Sequence, residues 1–152
     1  MEESEQLRIE RSVFIQAPRS RVWRALTNIE EFSRWFQVRA AGAFEAGKRV
    51  KMTSTYPGHE GIEFFVTVET MLPEELFSWR WVPGADSANE PDRPATLVEF
   101  RLLDGQGGTM VTVTESGFDR MSLAQRARIL AENEEGWKIQ MASLERYAGA
   151  KS

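Results

Sequence analysis

The sequence predicts an α+β fold in which a curved antiparallel sheet packs against one long C-terminal helix. Three observations carry that prediction. Apolar residues recur at every second position in several separate stretches between Leu7 and Ser116, the period of half-buried strands. The only long stretch with helical spacing comes last, after Ser122. The later strands pair as hairpins across turns rich in Gly, Pro, Asn and Asp. A long amphipathic helix that follows a meander buries its stripe most economically across the concave face of the sheet, giving two layers.

The elements follow in order. Residues 1–6 are polar and carry three Glu, so they are expected to form a disordered tail ahead of a single domain over 7–148. Leu7, Ile9, Val13 and Ile15 alternate with polar residues as a first strand, with Arg11 and Phe14 as exceptions. Pro18 stops the strand and suits a first helical turn. Val22, Trp23 and Leu26, then Ile29, Phe32, Trp35 and Phe36, fall at helical spacing on two short helices that break at Thr27-Asn28.

After Gly42 and Gly47 the period returns to two. Runs over 50–56 and 62–71 form a hairpin across Pro57, Gly58, His59, Glu60 and Gly61. Pro73, Glu74 and Glu75 turn the chain into a strand over 76–82, and 83–94 reads as a loop of a length that is often functional. Runs over 96–103 and 109–116 form a second pair across a glycine-rich turn. The closing helix is expected from Leu123 to about Ala148, opened by a capping box at Ser122 and Gln125. Its stripe is Leu130, Trp137, Met141, Leu144 and Ala148, interrupted by Asn133 and Gly136. About six or seven strands are expected in all.

Composition narrows the function. The 152 residues suit one domain at roughly 100–200 residues each, and 41% apolar content with nine Phe and five Trp supplies its core. A net charge of −4 gives no electropositive field for phosphates, so no nucleic-acid partner is expected. The chain has no Cys and a single histidine, His59; neither a metal site nor a cofactor is expected. His59 lies in a glycine-flanked turn and reads as a solvated residue. No apolar run approaches a membrane span, and the acidic N-terminus is unlike a signal peptide. A soluble cytoplasmic protein without membrane insertion is expected.

The run Arg11 to Pro18, then Val22 to Thr27 and Phe32 to Phe36, resembles the opening of the START-like SRPBCC superfamily. More narrowly, the chain is similar to the branch named after the activator homologue of a heat-shock chaperone ATPase. Val68 through Pro73 to Leu76 and Trp79 carry the likeness onward, as do Thr112 to Phe118 and Gly136-Trp137 with Leu144 and Tyr147. The resemblance spans Leu7 to Tyr147 and implies the helix-grip fold, a strongly curved antiparallel sheet around the C-terminal helix with a cavity between them. Members of the superfamily include lipid and hormone carriers, polyketide aromatase/cyclases and co-chaperone domains, so the fold leaves the chemistry open. True chaperone activators carry an additional N-terminal domain, which is not expected here.

Within that frame the candidate cavity walls are Trp79 and Trp81, which share one face of a strand with Phe77, and Trp137 and Met141, one helical turn apart. Trp35 and Phe100 join them as candidate ligand contacts. The same residues also suit plain core filling. Gly136 costs about 1 kcal/mol relative to Ala in a helix and leaves room beside Trp137. Glu115 follows Val111 and Val113 on an inward period. It is read either as a buried carboxylate paired with Arg11 or as a strand end in water. Asn133 is read as orienting a ligand carbonyl or as facing solvent.

The leading expectation is therefore a binding domain for an apolar or aromatic small molecule, lipid-like or polyketide-like. One alternative is a cyclase- or hydrolase-like enzyme using the same cavity with Glu115 as acid or base, although no catalytic residue is assigned. The other is a stress-response interaction module with a chaperone partner, which predicts a sizeable exposed apolar patch.

Overall fold

The computed structural model describes residues 7–83 and 93–149. The expected N-terminal tail and most of the 83–94 loop lie outside the described residues. The chain runs β1 (Arg8–Ile15), α1 (Arg19–Thr27), α2 (Ile29–Phe36), β2 (Val38–Arg39), β3 (Arg49–Ser54), β4 (Glu63–Leu72), β5 (Leu76–Trp81), β6 (Thr96–Gly105) and β7 (Gly108–Ser116). A short 3₁₀ turn (Phe118–Arg120) then leads into α3 (Leu123–Gly149).

Asn28 separates the two short helices. It closes α1 in an extended conformation and its Oδ1 accepts from Glu31 N at 3.0 Å, the capping bond that opens α2. Gln37 ends α2 in the left-handed region at φ 60°, uncommon for a residue with a Cβ. Ser122 caps α3 through Gln125 N, at 3.3 Å.

The seven strands form one curved antiparallel sheet in the order β1-β7-β6-β5-β4-β3-β2. A register shift between Val68 and Thr70 marks a bulge in β4, which bends the strand and increases its twist. The β6–β7 hairpin closes on Gly105 opposite Gly108. Gly108 is required there, since a Cβ would stand 2.2 Å from the Ile15 carbonyl oxygen.

The concave face is almost wholly apolar. Val66, Val68, Phe77, Trp79, Val98, Phe100, Val111 and Val113 point inward, and α3 covers them with Ile129, Trp137, Met141, Leu144 and Ala148. Leu130 is half-buried against the same core. At the far end of α3 the Tyr147 hydroxyl donates to Glu31 Oε1 at 3.1 Å, and the same carboxylate accepts from Arg21 at 2.6 Å and Arg24 at 2.9 Å. Burial alone would raise the Glu31 carboxyl. The hydrogen bonds from Arg21, Tyr147 and Arg24 outweigh it and hold it below the ordinary value of 4.5.

Candidate functional site

The sheet and α3 part at one end of their interface and leave a cavity of about 220 Å³. One wall is the β3–β4 hairpin, through Ser54, His59, Ile62, Glu63 and Phe64. The opposite wall is α3, through Asn133, Gly136, Trp137 and Gln140, and the ends of α2 and β5 close the space with Phe36, Trp81, Val82 and Pro83. Gly136 matters here, because nothing lies within 4 Å of where its Cβ would be. A side chain at that position would take up cavity space.

The base of this end is a polar knot around Glu115, whose exposure is 0%. Trp81 Nε1 donates to its Oε2 at 2.9 Å and Thr96 Oγ1 to the same oxygen at 2.6 Å. Asn133 Nδ2 and Trp137 Nε1 donate to Oε1 at 2.9 and 2.8 Å. The geometry follows from the elements. Trp81 pairs with Thr96 across β5–β6, and Glu115 pairs with Val98 two residues further along β6, so all three side chains share the inner face. Asn133 and Trp137 stand four residues apart on α3 and so present their donors side by side.

A buried carboxylate needs its hydration replaced. Four neutral donors do so here, two per oxygen, in charge-assisted hydrogen bonds. That arrangement occupies the roughly four lone-pair directions a carboxylate offers. It also turns two indoles and an amide of the cavity wall inward onto one carboxylate. The cavity therefore presents Trp81, Trp137, Phe36 and Phe64 as ring surface, with the N–H groups of both tryptophans already satisfied.

Several sequence-predicted site residues meet at the cavity and several do not. Trp81, Asn133 and Trp137 line it. Glu115 lies behind them and touches it only through its partners. The predicted Arg11 partnership does not form, and neither does the reading of Glu115 as a strand end in water. Arg11 is exposed and stands opposite Val113. Glu115 is saturated by four donors, and a long side chain on a sheet-edge strand reaches water at less cost than it would enter an apolar face.

Trp79, Phe100 and Met141 are fully buried core residues without a place on the wall. Trp35 serves the helix pair, its Nε1 donating to the Ala25 carbonyl at 2.7 Å. Among the wall residues that the sequence did not mark out are Phe36, Ile62, Phe64 and Gln140. A signal for Ile62 and Phe64 was present in the inward alternation that continues through Val66 and Val68. His59, read as a solvated turn residue, is exposed and forms part of the rim. No group of three or more His, Cys, Asp or Glu able to hold a metal occurs among the described residues. No described helix is long and apolar enough to cross a membrane.

Residues 16–149 match the family model described as Activator of Hsp90 ATPase homolog 1-like protein. Among solved structures, the chain is similar to protein MLL2253 from Mesorhizobium loti, with 21% identity and a TM-score of 0.75 over 92% of this chain and 95% of that one. It is similar to the Aha1 dimer from Colwellia psychrerythraea at 18% identity and a TM-score of 0.71, over 93% and 96% of the two chains. A third likeness is to DynU16, from the dynemicin biosynthetic locus, at 21% identity and a TM-score of 0.69. There the match covers 93% of this chain but only 46% of the other, so this chain spans less than half of DynU16. At such identities these structures show the fold. No curated protein matches the chain.

Proposed function

The chain belongs to the Activator of Hsp90 ATPase homolog 1-like protein family, and on that premise we propose that it binds a flat, apolar small molecule, lipid-like or polyketide-like, between the β3–β4 hairpin and α3. The observation that carries this reading is the ring-lined space kept open by Gly136. Pockets of this kind bind by burial of apolar surface, with a few polar groups setting orientation. A core built only for stability gains nothing from a helical glycine, which costs about 1 kcal/mol relative to Ala and leaves a gap.

Acid–base catalysis by Glu115 is disfavoured by the same geometry. A general base must reach the proton it abstracts, and both Glu115 oxygens already accept two hydrogen bonds each. The test is a titration of ¹⁵N-labelled protein with a panel of fatty acids, sterols, flavonoids and polycyclic aromatics. Saturable shifts of the Trp81 and Trp137 indole N–H signals are expected for at least one class. Silence of both indoles across the whole panel refutes the reading.

A second reading, a protein-interaction module with a chaperone partner, has one observation in its favour. On the outer face of the sheet Leu72, 50% exposed, stands opposite Leu76, and Leu103, 65% exposed, stands opposite Met110. Exposed apolar residues gathered in this way mark contact surfaces when they form one patch. Leu103→Asp would abolish capture of a chaperone by this face while leaving the indole titration unchanged.

A further inference from the structure

Four of the five tryptophans crowd the core and the cavity wall, and three of them have a clear acceptor. Trp35 donates to a carbonyl, and Trp81 and Trp137 donate to Glu115. Trp79 does not: its Nε1 is buried without a hydrogen-bond partner among the described residues, on a side chain of 0% exposure. Its ring stands nearly perpendicular to those of Phe32 and Phe36, at 85° and 87°, and its surroundings are aromatic faces rather than oxygens. Such contacts are weak substitutes for an oxygen. An orphaned buried donor costs about 1–3 kcal/mol and calls for an explanation.

Four further facts point the same way. Trp79 is separated from the cavity by one layer of rings, with centroid distances of 5.4 Å to Trp81, 6.1 Å to Phe36 and 6.5 Å to Trp137. Within that layer Trp81 and Trp137 are tethered by their N–H groups to Glu115, whereas Phe36 makes only ring contacts. Beside Phe36 sits Gln37, in the left-handed region, with its Oε1 also buried and unpartnered. Finally, the cavity holds about 220 Å³, below the roughly 300–1,000 Å³ of most small-molecule sites. Displacing the one untethered ring would enlarge the cavity and uncover the one unsatisfied indole.

We propose that the ligand carries a carbonyl-type oxygen at the edge of its flat apolar body, and that this oxygen accepts from Trp79 Nε1–H after the Phe36 side chain swings aside. The inference rests on the small-molecule reading above and adds the ligand's polar chemistry and the residue that reads it. A hydrocarbon would fill the outer cavity; a ketone, ester or quinone would in addition satisfy the orphaned donor. Phe36 then acts as the ring that covers Trp79 when no ligand is bound. Its backbone stays in place, since Gln140 Nε2 holds the Phe36 carbonyl at 3.1 Å.

The test compares 2-acetonaphthone with 2-isopropenylnaphthalene, in which a methylene replaces the carbonyl oxygen, on the full chain labelled with ¹⁵N and ¹³C. The ketone is expected to bind about tenfold more tightly, the gain of one buried hydrogen bond. It should move the Trp79 indole N–H and the Phe36 ring signals together. The hydrocarbon should move the Trp81 and Trp137 indoles while leaving Trp79 in place. Trp79→Phe should level the two affinities; should that variant fail to fold, the wild-type indole shifts and affinity ratio decide alone. Equal affinities with Trp81 and Trp137 responding and Trp79 silent would overturn the inference and leave the cavity reading standing. A Trp79 response with an unmoved Phe36 ring would refute the swinging ring. Binding of neither probe would overturn the inference, while the panel titration above decides the reading beneath it.

Discussion

Glu115 and Glu31 both tie α3 to the rest of the molecule, but Glu115 does so with four neutral donors and no exposed surface, whereas Glu31 uses two guanidinium groups and a phenol on a side chain that is 16% exposed. The first meets the helix through Asn133 and Trp137, the second through Tyr147 near its end. Near water a carboxylate can be held by charge, in an arrangement that salt weakens. In the interior it must be solvated by fixed dipoles, and every dipole recruited is a side chain that can no longer turn elsewhere. Position is thus what the inner carboxylate supplies: it sets the orientation of both tryptophans on the cavity wall.

The contrast can be broken most severely at Glu115. Glu115→Ala would strand four buried donors beside a new void, and a loss of about 3–5 kcal/mol is expected from urea unfolding. Glu115→Gln is the sharper probe. Thr96 can rotate its hydroxyl and Asn133 can flip its amide, but each Glu115 oxygen also serves one indole N–H, which is a donor only. Whichever way the new amide points, its NH₂ faces an indole. The expected cost is about 1–3 kcal/mol, with the displaced indole signal identifying the orphan.

Glu31→Gln should cost less, about 1 kcal/mol, and the cost should shrink in high salt while that of Glu115→Gln does not. Acid provides a second distinction. Because the folded Glu31 carboxyl lies below its ordinary value of 4.5, the folded state binds this proton less readily than the unfolded chain. Its contribution is complete above 4.5 and fades as pH falls through the lowered folded value. The stability gap between wild type and Glu31→Gln, measured in parallel melts, should therefore close on acidification; a constant gap would contradict the bonding described. The smallest effect is expected at Gly136→Ala. The new methyl meets no neighbour within 4 Å, so stability should rise by up to about 1 kcal/mol while the indole titration weakens. A variant that is more stable and binds as well would remove the role given to the glycine.

Much of the sheet was legible because alternation is a local property. Ile9 and Ile15, Val66 and Val68, and Val111, Val113 and Glu115 all point inward as their period requires. The pair Asn133 and Trp137 was visible on the helix stripe, yet its common target was not, since a strand 18 residues away in sequence chooses it. Arg11 shows the limit of the same rule. It has the inward parity, but parity says nothing about where a strand lies in the sheet, and β1 is an edge. The cavity was legible only in part for a related reason. Trp79 and Trp81 share one face of one strand, and only the distance to the β3–β4 hairpin and α2 makes one of them core and the other wall.

The pairing of β1 with β7, Arg8 opposite Ser116, has a consequence for how the chain comes into being. The first strand to leave the ribosome waits for the last, and until it arrives a long loop must be closed at an entropic cost that grows with its length. Domains dominated by such distant pairings fold slowly. During synthesis β1 has neither its partner strand nor α3, and an unpaired strand edge is where newborn chains aggregate. Glu115 and both of its helical partners emerge only after the first six strands. Any ligand that needs the Trp81 and Trp137 indoles held in position by Glu115 meets a chain already synthesised through α3, and no nascent fragment ending before α3 can compete for it.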